Sequence, residues 1–182
     1  MPQFTIEGRA KGLSDVQRNF LWELTILNFD FGESIPEDLT LRAKSVSIPG
    51  RSIEPIETWF YGHKQKHAGR AAFPNQINVQ FEETEDQKIL KTFYAWFQQI
   101  HNVNPLNAFG TLSTTFMKRQ YVKRILLSMQ KYNGEETKNS IEFVNAFPET
   151  MADVSLDMTG NEAVKFDITF SYDYWLLSGP NR

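Results

Sequence analysis

The sequence predicts a mainly β fold, an antiparallel β-sandwich or barrel with one flanking α-helix. Three observations carry this. Apolar residues alternate with polar ones through several segments of strand length, and one segment alone repeats at spacings of three and four. Turn signals join the strands directly, so no βαβ alternation arises. Aromatic residues form 14% of the 182 residues, and such rings favour pleated, half-buried surfaces and interfaces.

Residues 1–19 are polar and mixed, with a short helical turn expected behind Ser14 as its cap. Residues 19–31 read as the first strand. Phe20, Trp22, Leu24 and Ile26 alternate with residues that include Glu23 and Thr25, while Leu21, Leu27 and Phe29 imply partial cover on the second face. After a turn-rich loop at 32–38, Leu39, Leu41 and Ala43 share a strand face. Val46 and Ile48 resume the alternation after a phase slip that fits a bulge. Residues 53–61 read as an edge-like strand marked by Pro55. The polar, basic, glycine-bounded stretch 62–69 reads as the exposed tip of a long hairpin. Its return strand is expected at 76–82, with Ile77, Val79 and Phe81 on one face.

The helix follows. Thr84 is placed as its N-cap, Gln87 completes a capping box, and Glu85 and Asp86 complement the dipole in the first turn. Ile89, Phe93, Trp96, Phe97 and Ile100 form one apolar stripe, with Lys88, Lys91, Thr92, Ala95 and Gln99 opposite. Beyond a loop at 102–115, a strand is expected within 119–132. Asn133-Gly134 then turns it into a partner at 140–147, with Ile141, Phe143 and Phe147 on one face. A short strand through Val154, Leu156 and Met158 follows Pro148, and Gly160-Asn161 turns it. The last strand runs through 163–177, with Val164, Phe166, Ile168, Phe170, Tyr172 and Tyr174 facing one way. No repeat or long linker divides the chain, so 1–182 reads as one domain with 1–19 as an N-terminal arm.

The composition excludes much chemistry. With no cysteine, disulfides, zinc-thiolate sites, iron–sulfur clusters and Cys nucleophiles are ruled out together. Phosphate-cradling Gly loops, dinucleotide fingerprints, nucleophile elbows, HExxH and EF-hand patterns are missing. His63 and His67 lie four apart, but in a loop and with Lys64 and Lys66 between them, which opposes a cation. His101 reads as the end of the helix, where an imidazolium suits the dipole. The acidic run of Glu82, Glu83, Glu85 and Asp86 has a sufficient cause at a helix start. Asp167 and Asp173, beside Lys165, read as cross-strand charge partners. No catalytic, cofactor-binding or metal-ligating residue is therefore expected, and the chain is not read as an enzyme.

A net charge of −3 is not that of a phosphate-gripping protein. Neither a signal-peptide core nor a membrane-length apolar run is present, so the chain reads as soluble, cytoplasmically made and without membrane partners. Two basic clusters remain: His63, Lys64, Lys66, His67 and Arg70 in the expected hairpin tip, and Lys118, Arg119, Lys123 and Arg124 entering a strand. Each reads either as a solvated surface or as an electrostatic docking patch. Several strands carry large residues on both faces while one helix covers one side, which points to burial against other protein.

The C-terminal third combines the Phe147-Pro148 step, the Val154/Leu156 alternation, the Asn161-Glu162 turn and a closing strand ending in Asp173-Tyr174-Trp175. In the middle, SVSIPG precedes a long hairpin, INVQF forms a strand, and an acid-started helix carries a Phe/Trp stripe. In this order, across residues 20–176, the motifs resemble the tail-tube proteins of contractile-tailed phages and related contractile injection systems. The resemblance implies a β-sandwich forming hexameric rings, whose strands join into one inner barrel and whose rings stack into a tube. The inter-ring hairpin would map to 58–73, with His63, Lys64, Lys66, His67 and Arg70 making ring-to-ring contacts. Implied partners are copies of the chain in a homo-hexamer, and sheath, tape-measure and baseplate proteins. DNA would pass through the lumen without specific binding. The location implied is the virion tail, assembled in the host cytoplasm. A tube-initiator subunit of the baseplate, the tube of an injection or secretion system, and a monomeric β-sandwich ligand-binding module are the alternative readings.

Overall fold

The computed structural model describes residues 19–28, 39–40, 42–101, 117–130, 136–154, 156–157, 159 and 161–178. The expected turns at Ser14, 32–38, 102–115 and Asn133-Gly134 lie outside these residues, as do Leu41, Met158 and Gly160. In chain order the strands are β1 (Trp22–Leu27), β2 (Ala43–Val46), β3 (Ser52–Phe60), β4 (His63–Ala72) and β5 (Gln76–Glu82). Helices α1 (Lys88–Ile100) and α2 (Lys118–Tyr121) follow, then β6 (Lys123–Gln130), β7 (Glu136–Met151), β8 (Lys165–Ser171) and β9 (Tyr174–Ser178). All pairings are antiparallel. One seven-stranded sheet has the order β1-β6-β7-β8-β5-β2 with β9 also on β7, while β3 and β4 form a separate two-stranded sheet.

Alternation decides which faces meet. Leu24 and Ile26 stand opposite Leu127 and Ile125, which face Ile141 and Phe143 in turn. In the other half Val79 and Phe81 face Ile168 and Phe166. These side chains are buried in one cluster with Ile89, Phe93 and Trp96 of α1. Phe93 sits at its centre, its ring 5.0 Å from that of Phe81 and 5.9 Å from that of Phe170. Trp96 is buried too, and its indole N–H donates to the Tyr121 carbonyl at 2.7 Å, tying α1 to α2. The expected stripe thus faces the core, but Thr92 joins it. Its hydroxyl is satisfied internally by donating to the Lys88 carbonyl at 2.7 Å.

Several boundaries differ from expectation for identifiable reasons. The helix begins at Lys88, with Gln87 in the left-handed region at the N-cap, rather than at Thr84. Capping comes from further back. The Glu83 carboxylate accepts the amides of Ile89 at 3.1 Å and Leu90 at 2.8 Å, and the Thr84 hydroxyl accepts that of Lys88 at 3.0 Å. Glu83→Ala is therefore expected to cost about 1–2 kcal/mol in urea unfolding, and Glu83→Gln, which keeps one acceptor oxygen, less. Equal stability of Glu83→Ala and wild type would contradict this role.

The strand after the turn at 131–135 does not stop at Pro148. β7 pairs with β6 and β9 through its first part and with β8 from Phe147 onward. At Asn145 the backbone takes a φ of 56°, and the buried positions change from Ile141 and Phe143 to Ala146 and Pro148. The final apolar alternation breaks at the same level. Tyr172 is buried at the end of β8, Tyr174 is exposed on β9, and the Asp173 amide donates to the Val144 carbonyl at 3.1 Å. Both segments of the chain thus cross between the halves of the sheet together, and the single closing strand expected at 163–177 is two. Among the described residues, 152–157 form no strand; Ala152 donates once to the Asp167 carbonyl at 2.9 Å.

The crossing is held by Asp173, which accepts from the Lys118 ammonium and, at 2.8 Å, from the Asn145 amide. It is therefore not a partner of Lys165 on a common face. Those two bonds, Lys118 first, hold its carboxyl below the usual carboxylate range. A depressed folded value contributes stability above the ordinary range, near pH ~4, that is lost as pH falls through the folded value. Melting curves of wild type and Asp173→Asn should differ by a constant amount above pH ~5 and converge in acid. Parallel curves throughout would show that the contact adds nothing.

Candidate assembly surface

The largest departure from the sequence reading is the hairpin. Residues 62–69 are not a loop tip, and 76–82 is not the return strand. β3 and β4 pair in register from Ser52↔Ala72 to Phe60↔His63, leaving a two-residue turn at Tyr61-Gly62. Both turn residues have positive φ, 46° and 80°, as a type I′ hairpin turn requires. At roughly 3.3 Å per residue, nine residues of strand span about 30 Å. Every residue of β3 is exposed. Polar composition hid β4: nearly all of it is exposed, so no burial pattern marks it. Near the base, β4 carries an extra residue between the Ile53↔Ala71 and Pro55↔Ala68 pairs. Gly69 lies there because a Cβ would come within 2.3 Å of the Glu54 carbonyl oxygen.

The register sorts the hairpin into two unlike faces. On one, Glu57 pairs with Lys64 at 2.6 Å and lies 3.8 Å from the Lys66 ammonium, while Lys64 also lies 6.0 Å from the Trp59 ring. On the other, His67 pairs with Ile56, Gln65 with Thr58 and His63 with Phe60, and the His67 Nε2 sits 3.1 Å from the Thr58 hydroxyl. Lys64 and Lys66 are thus together and His63 and His67 are on the reverse side, with Arg70 in the bulge. His63 and His67 share a face but stand four strand residues, about 13 Å, apart, too far to share one metal ion. Among the described residues no group of three or more His, Asp or Glu is placed to hold a metal ion.

The large residues that the sequence places on both strand faces form the apolar part of this surface. Trp59 is 70% and Tyr61 89% exposed, and Ile53, Ile56 and Phe60 are exposed as well. At the root, Arg51 lies 3.9 Å over the Trp175 ring and 5.5 Å from the Phe73 ring, and its Nη2 donates to the Trp175 carbonyl at 3.2 Å. This clamp bridges both ends of the hairpin to β9. The other basic cluster is absorbed internally in part, since Lys118 pairs with Asp173 and Arg124 with Glu142 at 3.1 Å.

Elsewhere on the body, a groove of about 420 Å³ opens beside the start of α1, lined by Leu90, Val154, Leu156, Val164 and Phe166 with Glu83 and Glu85 at its rim. β1 and β9 stand at the margins of one half of the sheet, each paired on one side only among the described strands. No described helix is long and apolar enough to cross a membrane.

Known proteins share this architecture. The tail tube protein gp19 of Enterobacteria phage T4 is 23% identical over 141 residues, covering 76% of this chain and 82% of that protein. A chain of the sheath-tube complex of the extracellular contractile injection system PVC, in the extended state, superposes with a TM-score of 0.61 at 19% identity, covering 96% and 98% of the two chains. A chain of the six-fold symmetrised baseplate of the anti-feeding prophage superposes with a TM-score of 0.54 at 11% identity, covering 94% and 99%. Residues 15–178 match the family described as phage tail tube protein, nearly the whole chain. The chain belongs to the phage tail tube protein family.

Proposed function

We propose that the chain, acting as one domain over 1–182, is a non-catalytic structural subunit of the inner tube of a contractile phage tail or a related injection system. Six copies close into a ring, rings stack, and the lumen passes DNA without binding it specifically. Sheath, tape-measure and baseplate proteins are its partners, and assembly takes place in the host cytoplasm. The observation that carries this reading is the hairpin β3–β4, exposed along all of β3 and most of β4, aromatic-bearing and about 30 Å long. A monomer gains nothing from such an element, whereas a subunit gains a contact arm. Open margins at β1 and β9 suit lateral extension of the sheet by neighbouring copies.

The basic residues His63, Lys64, Lys66, His67 and Arg70 belong to this arm and are assigned to ring-to-ring contact. Charge reversal at Lys64 and Lys66 places two further carboxylates beside Glu57 on one face. Exposed ion pairs contribute at most about 1 kcal/mol, so the monomer should stay folded. Tubes counted by negative-stain microscopy should become short or disappear. An unaltered length distribution would remove the assignment.

A further inference from the structure

Tyr61 is an anomaly. It occupies the first central position of a type I′ turn at a φ of 46°, where Asn, Asp or Gly is favoured and a bulky side chain is disfavoured. It is also 89% exposed, and the ring beside it is that of Phe60, edge-on at 4.6 Å. Within the chain this choice has no return: the turn would form better with Asn, and no core is filled. Strain held at an exposed aromatic marks a side chain retained for what it touches. Two aromatic rings at the end of a rigid arm are suited to act as an anchor, because they bury large area at low entropic cost.

The groove beside α1 has the complementary character. Its volume of about 420 Å³ is within the range that accepts bulky organic groups, roughly 300–1,000 Å³. Its floor is apolar and Leu156 is largely exposed there. Its rim is acidic. Glu85 lines it, and Asp153, Asp157 and Glu162 are exposed next to the lining residues Val154, Leu156 and Ala163; Glu83 lines it too, but its carboxylate is taken up by the amides of Ile89 and Leu90. From Ile56 to Arg70 the arm carries Lys64, Lys66 and Arg70 against one carboxylate, the Glu57 that pairs with both lysines, so it stays net positive. Two other grooves among the described residues suit the apex less well. The one at Ile141, Trp175 and Leu177 contains Arg51, and the one at Trp22, Val46 and Met129 has no charged lining residue. The exposure of all of β3 shows that the arm is not folded onto its own groove.

We propose that Phe60 and Tyr61 at the hairpin apex seat in the acid-rimmed groove at Leu90, Val154 and Leu156 of a second copy, with Lys64 and Lys66 meeting the rim carboxylates. This rests on the reading of the chain as a self-assembling subunit and names the two surfaces that join. The test is the concentration at which the purified full chain forms tubes, measured by sedimentation and negative-stain microscopy. Tyr61→Asn improves the turn but removes the anchor, so that concentration should rise about tenfold or more, and Tyr61→Phe should behave as wild type. Leu156→Glu places a charge in the apolar lining of the groove at an exposed position and should produce a similar rise. Because both remove one contact, the double variant should be no worse than the poorer single one. Wild-type assembly by Tyr61→Asn or by Leu156→Glu overturns the proposal, and so do additive losses, which would mean that the apex and the groove meet different partners. In each of these cases the wild type still assembles and the proposed function stands. Failure of the wild type to assemble would remove both.

Discussion

A variant in which Asn-Gly replaces Glu57–Lys66, joining Ile56 directly to His67, should unfold like wild type and form no tubes. The Ile56↔His67 pair has the same parity as Phe60↔His63, which flank the natural turn, so a two-residue I′ turn closes the shortened arm without a change of register. The residues removed touch none of the buried cluster. Unfolding free energy should therefore change by no more than about 0.5 kcal/mol, the usual range for surface changes away from caps and networks. Assembly loses Trp59, Phe60, Tyr61 and Lys64 at once, and with them the apex and the paired cations. Retained tubes would show that the arm is dispensable. A large loss of stability would show that it is part of the fold.

Phe93→Ala should cost about 3–5 kcal/mol in the unfolding of the monomer, the range for removing a buried aromatic ring. Phe93 is fully buried, and its ring lies among those of Phe81, Trp96, Phe166 and Phe170 at 5.0 to 6.4 Å. Four large, stiff neighbours attached to two strands and the helix collapse poorly into the vacated space, which places the cost at the upper end. Against a total of roughly 5–15 kcal/mol for a domain, this is enough to depopulate the native state on mild heating. Urea unfolding must be read below the assembly concentration, because copies bound to one another add apparent stability by mass action. A loss under about 1 kcal/mol would mean that the cluster is not the centre of the core.

Elements with one face in the core were legible from the sequence. β5 and β8 show period-two burial as their alternation implied, α1 buries its Ile89, Phe93 and Trp96 stripe, and the phase slip before Val46 is a register shift between Ala43 and Ser45. What was hidden follows from the physics of each place. A strand with both faces in water carries no burial signal, so β4 read as a loop. A strand that changes sheets reverses its parity, so in the sequence the alternation of β7 stops at Pro148 and that of β8 and β9 runs on across Asp173. Glu83 stands in an acidic run that a helix dipole already explains, and its bonds to Ile89 and Leu90 span six and seven residues and match no short capping pattern. The basic candidates were found by charge, but Tyr61 and Arg51 were not. An unfavourable turn residue becomes visible only once the turn is known, and the stacking of Arg51 on Trp175 joins residues 124 apart in sequence.

The central claim is that the exposed arm exists to contact other copies of the chain, and electron microscopy of the purified full chain over a range of concentrations tests it most directly. Rings at low concentration and stacked rings at high concentration, with the β3–β4 arm ordered against the neighbouring ring, are the predicted result. Single particles at every concentration, with the arm projecting freely into solvent, would contradict it.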